Sequence, residues 1–382
     1  MEIGSENLQY SPYDSDRFNL DVYRGTFSNP DERRVFSAIV DKKVDVAILR
    51  APTSTSHRLQ RLHRFGPQSI HADTLVYYSI DLKRYEPLAL RNKDLSFSEG
   101  TSADESELDQ LVGLIFEGYR SHYHANPLFN PKDVLAGYKQ WALRYLQGDA
   151  SNKLWIARRE NRIIAFACCR SDKAAESCEG VLYGVHPIYA GGGIYGDLIR
   201  YTQSSFKSAG FNSMMVSTQI GNFAVQKVWG REGFYLNAAY DTYHFNTLLG
   251  PKAKFTMSSI LRFTSAQVEA FGRLSGDMNP IHFDDGAARR AGFDSRICHG
   301  LLPASELSRI FGTLVPGPST LFLGLHMTFL RPLYHNVEYS FHIRFVSDPS
   351  AGGHLLAMAL VQDSADQICI LMYSDLMRRI DT

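Results

Sequence analysis

Three consecutive glycines, Gly191 to Gly193, stand between a strand-like apolar run and a helical pattern, and this junction constrains the fold more than any other stretch. Upstream, "KLWIARRENRIIAFACCR" predicts two strands joined by a polar turn at Glu160-Asn161, and "EGVLYGV" adds a third. Downstream, a helical pattern runs from about Ile194 to Ser208 and closes at Gly210 in the C-cap role. "NSMMVSTQI" then predicts a strand, "NFAVQKVWGREG" a short helix and "FYLNAAYDTYHF" a final strand. The letters "GGGIYG" satisfy G-x-G-x-x-G, but a dinucleotide-binding unit needs an acidic residue roughly 20 positions later, and none occurs from Leu198 to Arg231. Antiparallel strands open the domain where a βαβ unit would be required, and no Gly-Lys-Ser/Thr closes the loop as a Walker motif would. What remains is a glycine loop at a helix N-terminus, where free backbone N–H groups and the helix dipole can hold a pyrophosphate.

At 382 residues the chain exceeds what one hydrophobic core usually organises, so two domains are expected. Lysine plus arginine equal aspartate plus glutamate, 40 against 40, which leaves no net field to attract nucleic acid or an acidic membrane surface. Five cysteines, an odd number that includes the adjacent Cys168 and Cys169, predict reduced buried thiols and a cytoplasmic location. The opening "MEIGSENLQYSPYDSD" has neither the basic start nor the apolar stretch of a signal peptide, and no run of about 18 apolar residues occurs.

After the connector "NTLLGPKAK" the pattern restarts, which puts the expected boundary near residue 250: 1–250, divided into a lead-in (1–100) and a core (101–250), and 251–382. Thr264 and Gln267 have capping-box spacing at the start of a helix, a second helix is predicted from Gly300 to about Phe311, and strand-rich sequence follows from Ser319 to Arg378. Between the helices lies "SGDMNPIHFDD". Asp277 and His282 are five residues apart across Asn279-Pro280, and the proline excludes a continuous helix between them. A turn can direct both side chains into one cleft, as an Asx-Pro turn with a solvated acid and histidine would not. Adding water to a double bond conjugated with a thioester needs a base for water, a proton for the α-carbon and a donor for the enolate oxygen. Asp277 and His282 can supply the first two, and the backbone N–H of Gly300 at the next helix start the third.

The first region resembles the GNAT acyltransferase superfamily, whose pyrophosphate loop binds coenzyme A after a strand ending in Val-x-Pro. Val185, Pro187, Tyr189, Gly191, Gly193 and Ile194 match that loop, and Asn222, Ala224, Trp229, Gly233 and Phe234 match the second signature. The resemblance implies coenzyme A binding by Val185, Ala190, Gly191, Gly192, Gly193, Ile194, Tyr195 and Asn222. Ala190 stands where arginine or glutamine is common, Tyr195 replaces a small residue, and Trp229 replaces the tyrosine that protonates the departing thiolate; Tyr235 and Tyr240 are alternatives for that acid or ordinary tyrosines. The preceding "GYRSHYHANP" and "GYKQWA" resemble the dTDP-fucosamine acetyltransferase branch, which acylates nucleotide-linked amino sugars. That implies acceptor binding by Tyr119 and Tyr123 and base roles for His122 and His124, against a reading of the same residues as a helix end with surface histidines. Histidine suits an attacking amine because its reference pKa of about 6.5 lies near working pH. No third ligand at a recognisable spacing accompanies them, so no metal site is expected.

The segment from about Thr256 onward resembles the MaoC-like, (R)-specific enoyl-CoA hydratase branch of the hotdog superfamily. Asp277 and His282 match the catalytic pair, Asn279 and Pro280 the turn, Gly300 the helix N-terminus and Ser305 a serine near the site, while Asn336 and Val337 replace a Gly-Asp pair. Together the resemblances imply an α+β protein: a GNAT fold, a mixed sheet flanked by helices, joined to a hotdog, an antiparallel sheet wrapped round a helix. They imply acyl-CoA as co-substrate with no tightly bound cofactor, a nucleotide-linked amino sugar as acceptor, and a homodimer through the hotdog. The C-terminal half would hydrate a short 2-enoyl-CoA to the (R)-3-hydroxyacyl-CoA, and the N-terminal half would transfer that acyl group to the sugar amine for surface glycan synthesis. The rival expectation is a sugar N-acetyltransferase using acetyl-CoA, with a hotdog kept for dimerisation or for sensing acyl-CoA.

Overall fold

The computed structural model describes residues 7–149, 151–250, 252, 257–346, 348–350 and 352–379; the first six residues, Pro251 and residues 253–256 of the connector, Thr256 included, lie outside the described residues. Two sheets organise the chain. The first is built from β1 (Gln9–Tyr10), β2 (Val22–Thr26), β3 (Val46–Pro52), β4 (Gln68–Asp81), β5 (Ser96–Glu99), β6 (Asn152–Arg159), β7 (Arg162–Asp172), β8 (Ser177–Val185), β9 (Ser213–Gln219) and β10 (Tyr235–Asn246). Its order is β1-β2-β3-β10-β4-β9-β8-β7-β6-β5. Around it lie α1 (Pro12–Phe18), α2 (Glu32–Asp41), α3 (His57–Gln60), α4 (Glu105–Phe116), α5 (Pro131–Leu143), α6 (Ile194–Ser208) and α7 (Phe223–Arg231). Glu160 and Asn161 turn between β6 and β7 with φ of 50° and 64°, a left-handed conformation that Asn adopts at low cost.

The region from residue 7 to 100 is more than a lead-in. β10 lies between β3 and β4, antiparallel to both, so the last strand of the core closes inside the segment expected to precede it. β2 and β3 pair in parallel, which local sequence pattern cannot announce.

The second sheet has the order β11-β13-β14-β15-β12, from β11 (Met257–Arg262), β12 (Thr320–Phe329), β13 (Glu338–Phe345), β14 (Gly353–Gln362) and β15 (Ile368–Arg378), every pair antiparallel. The helices of this half are α8 (Ser265–Ser275), α9 (Asp285–Arg290) and α10 (Leu302–Thr313). Thr264 and Gln267 cap α8 reciprocally, as their spacing predicts. Leu307, Ile310 and Phe311 of α10 pack on Leu355, Ala357, Ala359 and Val361 of β14, so the sheet wraps the helix as a hotdog does.

The opposite face of the same sheet is also buried. Met358, Leu360, Ile368 and Leu371 share one core with Phe36, Ile39, Phe245, Leu248 and Leu249 of the N-terminal half. At its edge Asp45, fully buried, accepts from Arg344 Nη1 at 3.0 Å, from the Gly250 amide at 2.8 Å and from the Asp21 amide at 2.9 Å. A Cβ at Gly250 would lie 2.6 Å from the Asp45 carboxylate, so only glycine fits where the two halves meet.

Candidate active sites

β8 and β9 run parallel and pair only from Ser177–Gly180 to Ser213–Val216, although β8 continues to Val185 and β9 to Gln219. The sheet therefore splits into a wedge. It opens into a cavity of about 560 Å³ walled by Gly180 to Tyr183 on one strand and Ser217 to Gln219 on the other, with Tyr195 of α6, and Asn222 and Trp229 at and within α7.

The glycine loop joins the end of β8 to α6, and residues 190–193 are outside the lining of this cavity. Gly191 and Gly193 both have φ of +82°, which a side chain would strain, and Gly193 caps α6 with no side-chain hydrogen bond. The first amides of a 15-residue helix are thus left without a side-chain acceptor, an arrangement that favours an anion. Asp197, in the first turn, is spent within the protein: its carboxylate accepts from the Arg91 and Asn92 amides at 2.8 and 2.9 Å, and Asn92 Nδ2 donates to the Gly192 carbonyl at 3.1 Å. The two acids that flank the acid-free stretch, Asp197 and Glu232, both meet the buried Arg200, with Glu232 bidentate at 2.7 and 2.7 Å. That clamp ties α6 to the end of α7. Of the predicted coenzyme A residues, Val185 pairs with Ala165 and Ile194 is core, while Tyr195 and Asn222 face the cavity. Tyr235 and Tyr240 are not in its lining. Burial raises the Tyr195 phenol pKa above the ordinary value, the Trp229 indole opposing the shift.

The predicted acceptor residues gather at the same cavity, which Tyr119, His122 and Tyr123 line; His124 lines an adjoining one of about 510 Å³. Tyr119 donates to Gln219, and Tyr123 donates to Asp14 at 2.9 Å while accepting from Arg24. The two histidines differ from the expected bases. Asn126 Oδ1 accepts from the Leu128 amide, which turns Asn126 Nδ2 toward His244 Nδ1 at 3.3 Å. His244 therefore carries its proton on Nε2 and donates to His122 Nδ1 at 2.9 Å, leaving His122 protonated only at Nε2. Burial, and then the facing His244, push His122 well below the ordinary histidine range, and burial takes His244 down to about 3. His124 accepts the Ser121 amide at Nδ1, capping a turn. Neither ring is arranged to take a proton.

Residues 7 to 100 contribute Asp14, Arg17, Arg24, Arg50 and Asp73 to the cavity wall, which sequence reasoning missed because strand order alone brings them there. Arg17 and Arg24 pair with Asp14, and Arg170 with Glu179; Arg50 and Arg144 have no carboxylate within ion-pair distance among the described residues. Arg144 lies 3.7 Å over the Tyr13 ring.

In the second half, α8 ends at Gly276 in a left-handed C-cap and Asp277 opens the turn. The Asp277 carboxylate accepts from the Asn279 amide at 3.2 Å, and Asn279 Oδ1 caps the short turn Pro280–His282 by accepting from the Ile281 amide at 3.3 Å. His282 is buried, and its Nδ1 lies 2.8 Å from the Ile297 carbonyl. A carbonyl only accepts, so Nδ1 carries the proton and Nε2 presents a lone pair, 3.8 Å from Asp277 Oδ2. Asp277 is half exposed at 51 %.

His299, which sequence reasoning did not single out although it adjoins Gly300, completes the group. Its ring stacks on His282 at 4.0 Å, its Nε2 donates to the Asp277 carbonyl at 2.9 Å, and its Nδ1 is buried without a partner. Ligand atoms of Asp277, His282 and His299 lie within 4.8 Å of one another. A cavity of about 330 Å³ is lined by His282, His299, Gly300, Phe329 and Arg331 among others, and Asp277 is not part of its lining. Gly300 lines it from the turn before α10 and not from the helix itself, which begins at Leu302. A Cβ at Gly300 would press the Phe329 ring at 3.1 Å. Ser305 is not brought in: it is exposed, and its hydroxyl donates to the Leu302 carbonyl at 2.6 Å.

The "Acetyltransferase (GNAT) family" model matches residues 115–234 and the "MaoC like domain" model residues 248–350, so the chain carries a GNAT domain and a MaoC-like domain, both of enzymatic families. Among curated proteins it is 37% identical over 86 residues to the (R)-specific enoyl-CoA hydratase of Aeromonas caviae, covering 22% of this chain and 61% of that protein. It is 37% identical over 70 residues to the 3-hydroxybutyryl-CoA dehydratase of Methylorubrum extorquens, covering 18% and 45%. The chain thus spans less than two thirds of these relatives. Of solved structures, the (R)-hydratase from A. caviae matches with TM-score 0.30 and 23% identity over 34% of this chain and 100% of that one. A GCN5-related N-acetyltransferase from Sphaerobacter thermophilus matches with TM-score 0.38 and 13% identity over 56% and 63%. Among the described residues no helix is long and apolar enough to cross a membrane, and the five cysteines are buried and free.

Proposed function

We propose that the chain is a bifunctional enzyme whose MaoC-like half hydrates a short 2-enoyl-CoA to the (R)-3-hydroxyacyl-CoA, and whose GNAT half transfers that acyl group to the amine of a nucleotide-linked amino-deoxy sugar for surface glycans. The observation that carries this reading is His282, whose tautomer is fixed by the Ile297 carbonyl so that Nε2 and the Asp277 carboxylate present two acceptors 3.8 Å apart, with His282 at the wall of the cavity. One water can donate a hydrogen bond to each. As its oxygen bonds C3 of the enoyl thioester, one of its protons passes to this pair and the other stays on the new hydroxyl; the pair then returns its proton to C2, for net addition of one water. The Gly300 amide is the proposed donor to the enolate oxygen.

On the transferase side, the α6 N-terminus would hold the pyrophosphate and the wedge the thioester arm. Arg50 and Arg144, without carboxylate partners, support a phosphate-bearing acceptor. The amine attacks the thioester carbonyl, the C–N bond forms, the C–S bond breaks, and the thiolate takes a proton from Tyr195. β12 is an edge strand with Leu321, Phe322, Leu323, Leu325 and Phe329 exposed, which supports a homodimer through the hotdog. Sedimentation should then give twice the chain mass, and a monomer at micromolar concentration would refute the dimer. The free, buried cysteines support a cytoplasmic location.

The test is crotonyl-CoA hydration, followed as loss of enoyl-thioester absorbance. Asp277→Asn and His282→Gln should each slow it by about 10²–10⁴-fold; wild-type protein without hydration, or variants matching it, would remove the reading. Mass spectrometry of a dTDP-linked amino sugar mixed with 3-hydroxybutyryl-CoA should show the added acyl mass. Much faster transfer from acetyl-CoA would favour a plain N-acetyltransferase with a silent or sensing hotdog.

A further inference from the structure

Three carboxylates line the transferase cavity, Asp14, Asp73 and Glu179. Asp14 is held by Arg17, Arg24, Ser11 and Tyr123, and Glu179 by Arg170. Asp73 differs: both its oxygens are buried and neither has a partner in hydrogen-bond geometry. A buried carboxylate without partners costs stability, so its presence calls for a use. Asp73 belongs to β4, which pairs with β9 from Leu75↔Gln219 onward, so it lies beside the end of the wedge strand. It also borders both the 560 Å³ cavity and the adjoining 510 Å³ cavity, with Tyr119, Ser121, Gln219 and Asn222 forming the rest of the shared wall.

We infer that Asp73 is the proton acceptor of the acyl transfer, taking the proton released from the amine as the C–N bond forms and passing it to water in the adjoining cavity. This rests on the acyl-transfer reading above. The Nδ1 acceptors of the two histidines are occupied by His244 and by the Ser121 amide, and the other two cavity carboxylates are neutralised by arginine, so Asp73 is the carboxylate left among the described lining. Burial raises its pKa above the ordinary carboxylate value. The Thr242 hydroxyl, Arg50 and His71 oppose that shift, Asp241 adds to it, and the Tyr119 phenol faces it from the segment after α4. A base with a pKa raised toward working pH is better matched to an amine.

The experiment uses the full chain with a dTDP-linked amino-dideoxy sugar and acetyl-CoA or 3-hydroxybutyryl-CoA, following released thiol. Wild type should show an acid limb in its pH–rate profile at a pH above the ordinary carboxylate range. Asp73→Asn should lose that limb and at least about 10²-fold in rate, while Asp73→Glu keeps the limb with a smaller loss. Coenzyme A binding by calorimetry and crotonyl-CoA hydration should be unchanged in both. Asp73→Asn within about threefold of wild type, with the limb intact, would overturn the assignment and leave acyl transfer standing. Asp73→Asn that lost coenzyme A binding and hydration together would show a structural role and overturn it too. Wild type without transfer from either donor would instead overturn the acyl-transfer reading, and this inference with it.

Discussion

Residue identities announced one site better than the other. Asp277, Asn279, Pro280 and His282 form one local turn, so their spacing already fixes much of their geometry, and the structure adds the anchor at Ile297 that no spacing could show. The placement of Ser305 was not legible from its spacing, because a helical serine can satisfy its hydroxyl on the carbonyl three residues back, as it does on Leu302. The arrangement of His122 was not legible either, because its Nδ1 is paired with His244, 122 positions away. The missing acid of the transferase is argued at the same scale. Tyr195 faces the cavity from the first turn of α6, next to the proposed pyrophosphate site, and burial keeps its phenol protonated. Tyr195→Phe should lower kcat for acyl transfer by about 10²-fold and leave the Kd of coenzyme A within about threefold. An unchanged kcat in steady-state kinetics would assign the proton to another group.

Elements with strong local signals were legible: β6, β7, β8, α6, β9, α7 and β10 follow the expected order, because alternation, a glycine loop and a C-cap glycine are all near-neighbour effects. The wall built by β1 to β4 was not, because pairing across β10 is decided by the whole sheet. One consequence can be measured. His244 on β10 and His122 beside the end of α4 are buried neutral, yet an unfolded histidine protonates near pH 6.5. The unfolded chain therefore binds more protons as pH falls. The stability tied to this pair is fully present above about pH 6.5 and is lost as pH drops toward about 3. Gln at position 244 can still donate to His122 and accept from Asn126 without titrating. Between pH 6 and 4, wild-type unfolding free energy should fall by roughly 1 kcal/mol per pH unit more than that of His244→Gln. Parallel curves in denaturant titrations would contradict the assignment.

At the scale of the molecule, the apolar runs "LLAMALV" and "ICILMY" have a reason that the sequence alone did not disclose: β14 and β15 bury both faces, one on α10 and one on the N-terminal half. Such strands lose the alternation of a half-exposed sheet. Separating the halves would expose Met358, Leu360, Ile368 and Leu371, roughly 1.5–3 kcal/mol each. It would also strand Arg344 away from Asp45. Asp45→Ala should cost about 3–5 kcal/mol, since it leaves a buried guanidinium without its carboxylate and frees the Gly250 and Asp21 amides. Adding Arg344→Met to that variant should recover part of the loss, because a buried charge is then replaced by an apolar chain of similar length. If the shared core joins the two halves into one cooperative unit, hydration and acyl transfer should disappear together on heating the single variant. Two separate thermal losses, or a single variant within about 1 kcal/mol of wild type, would mean that the halves are held together by the covalent connector and little else.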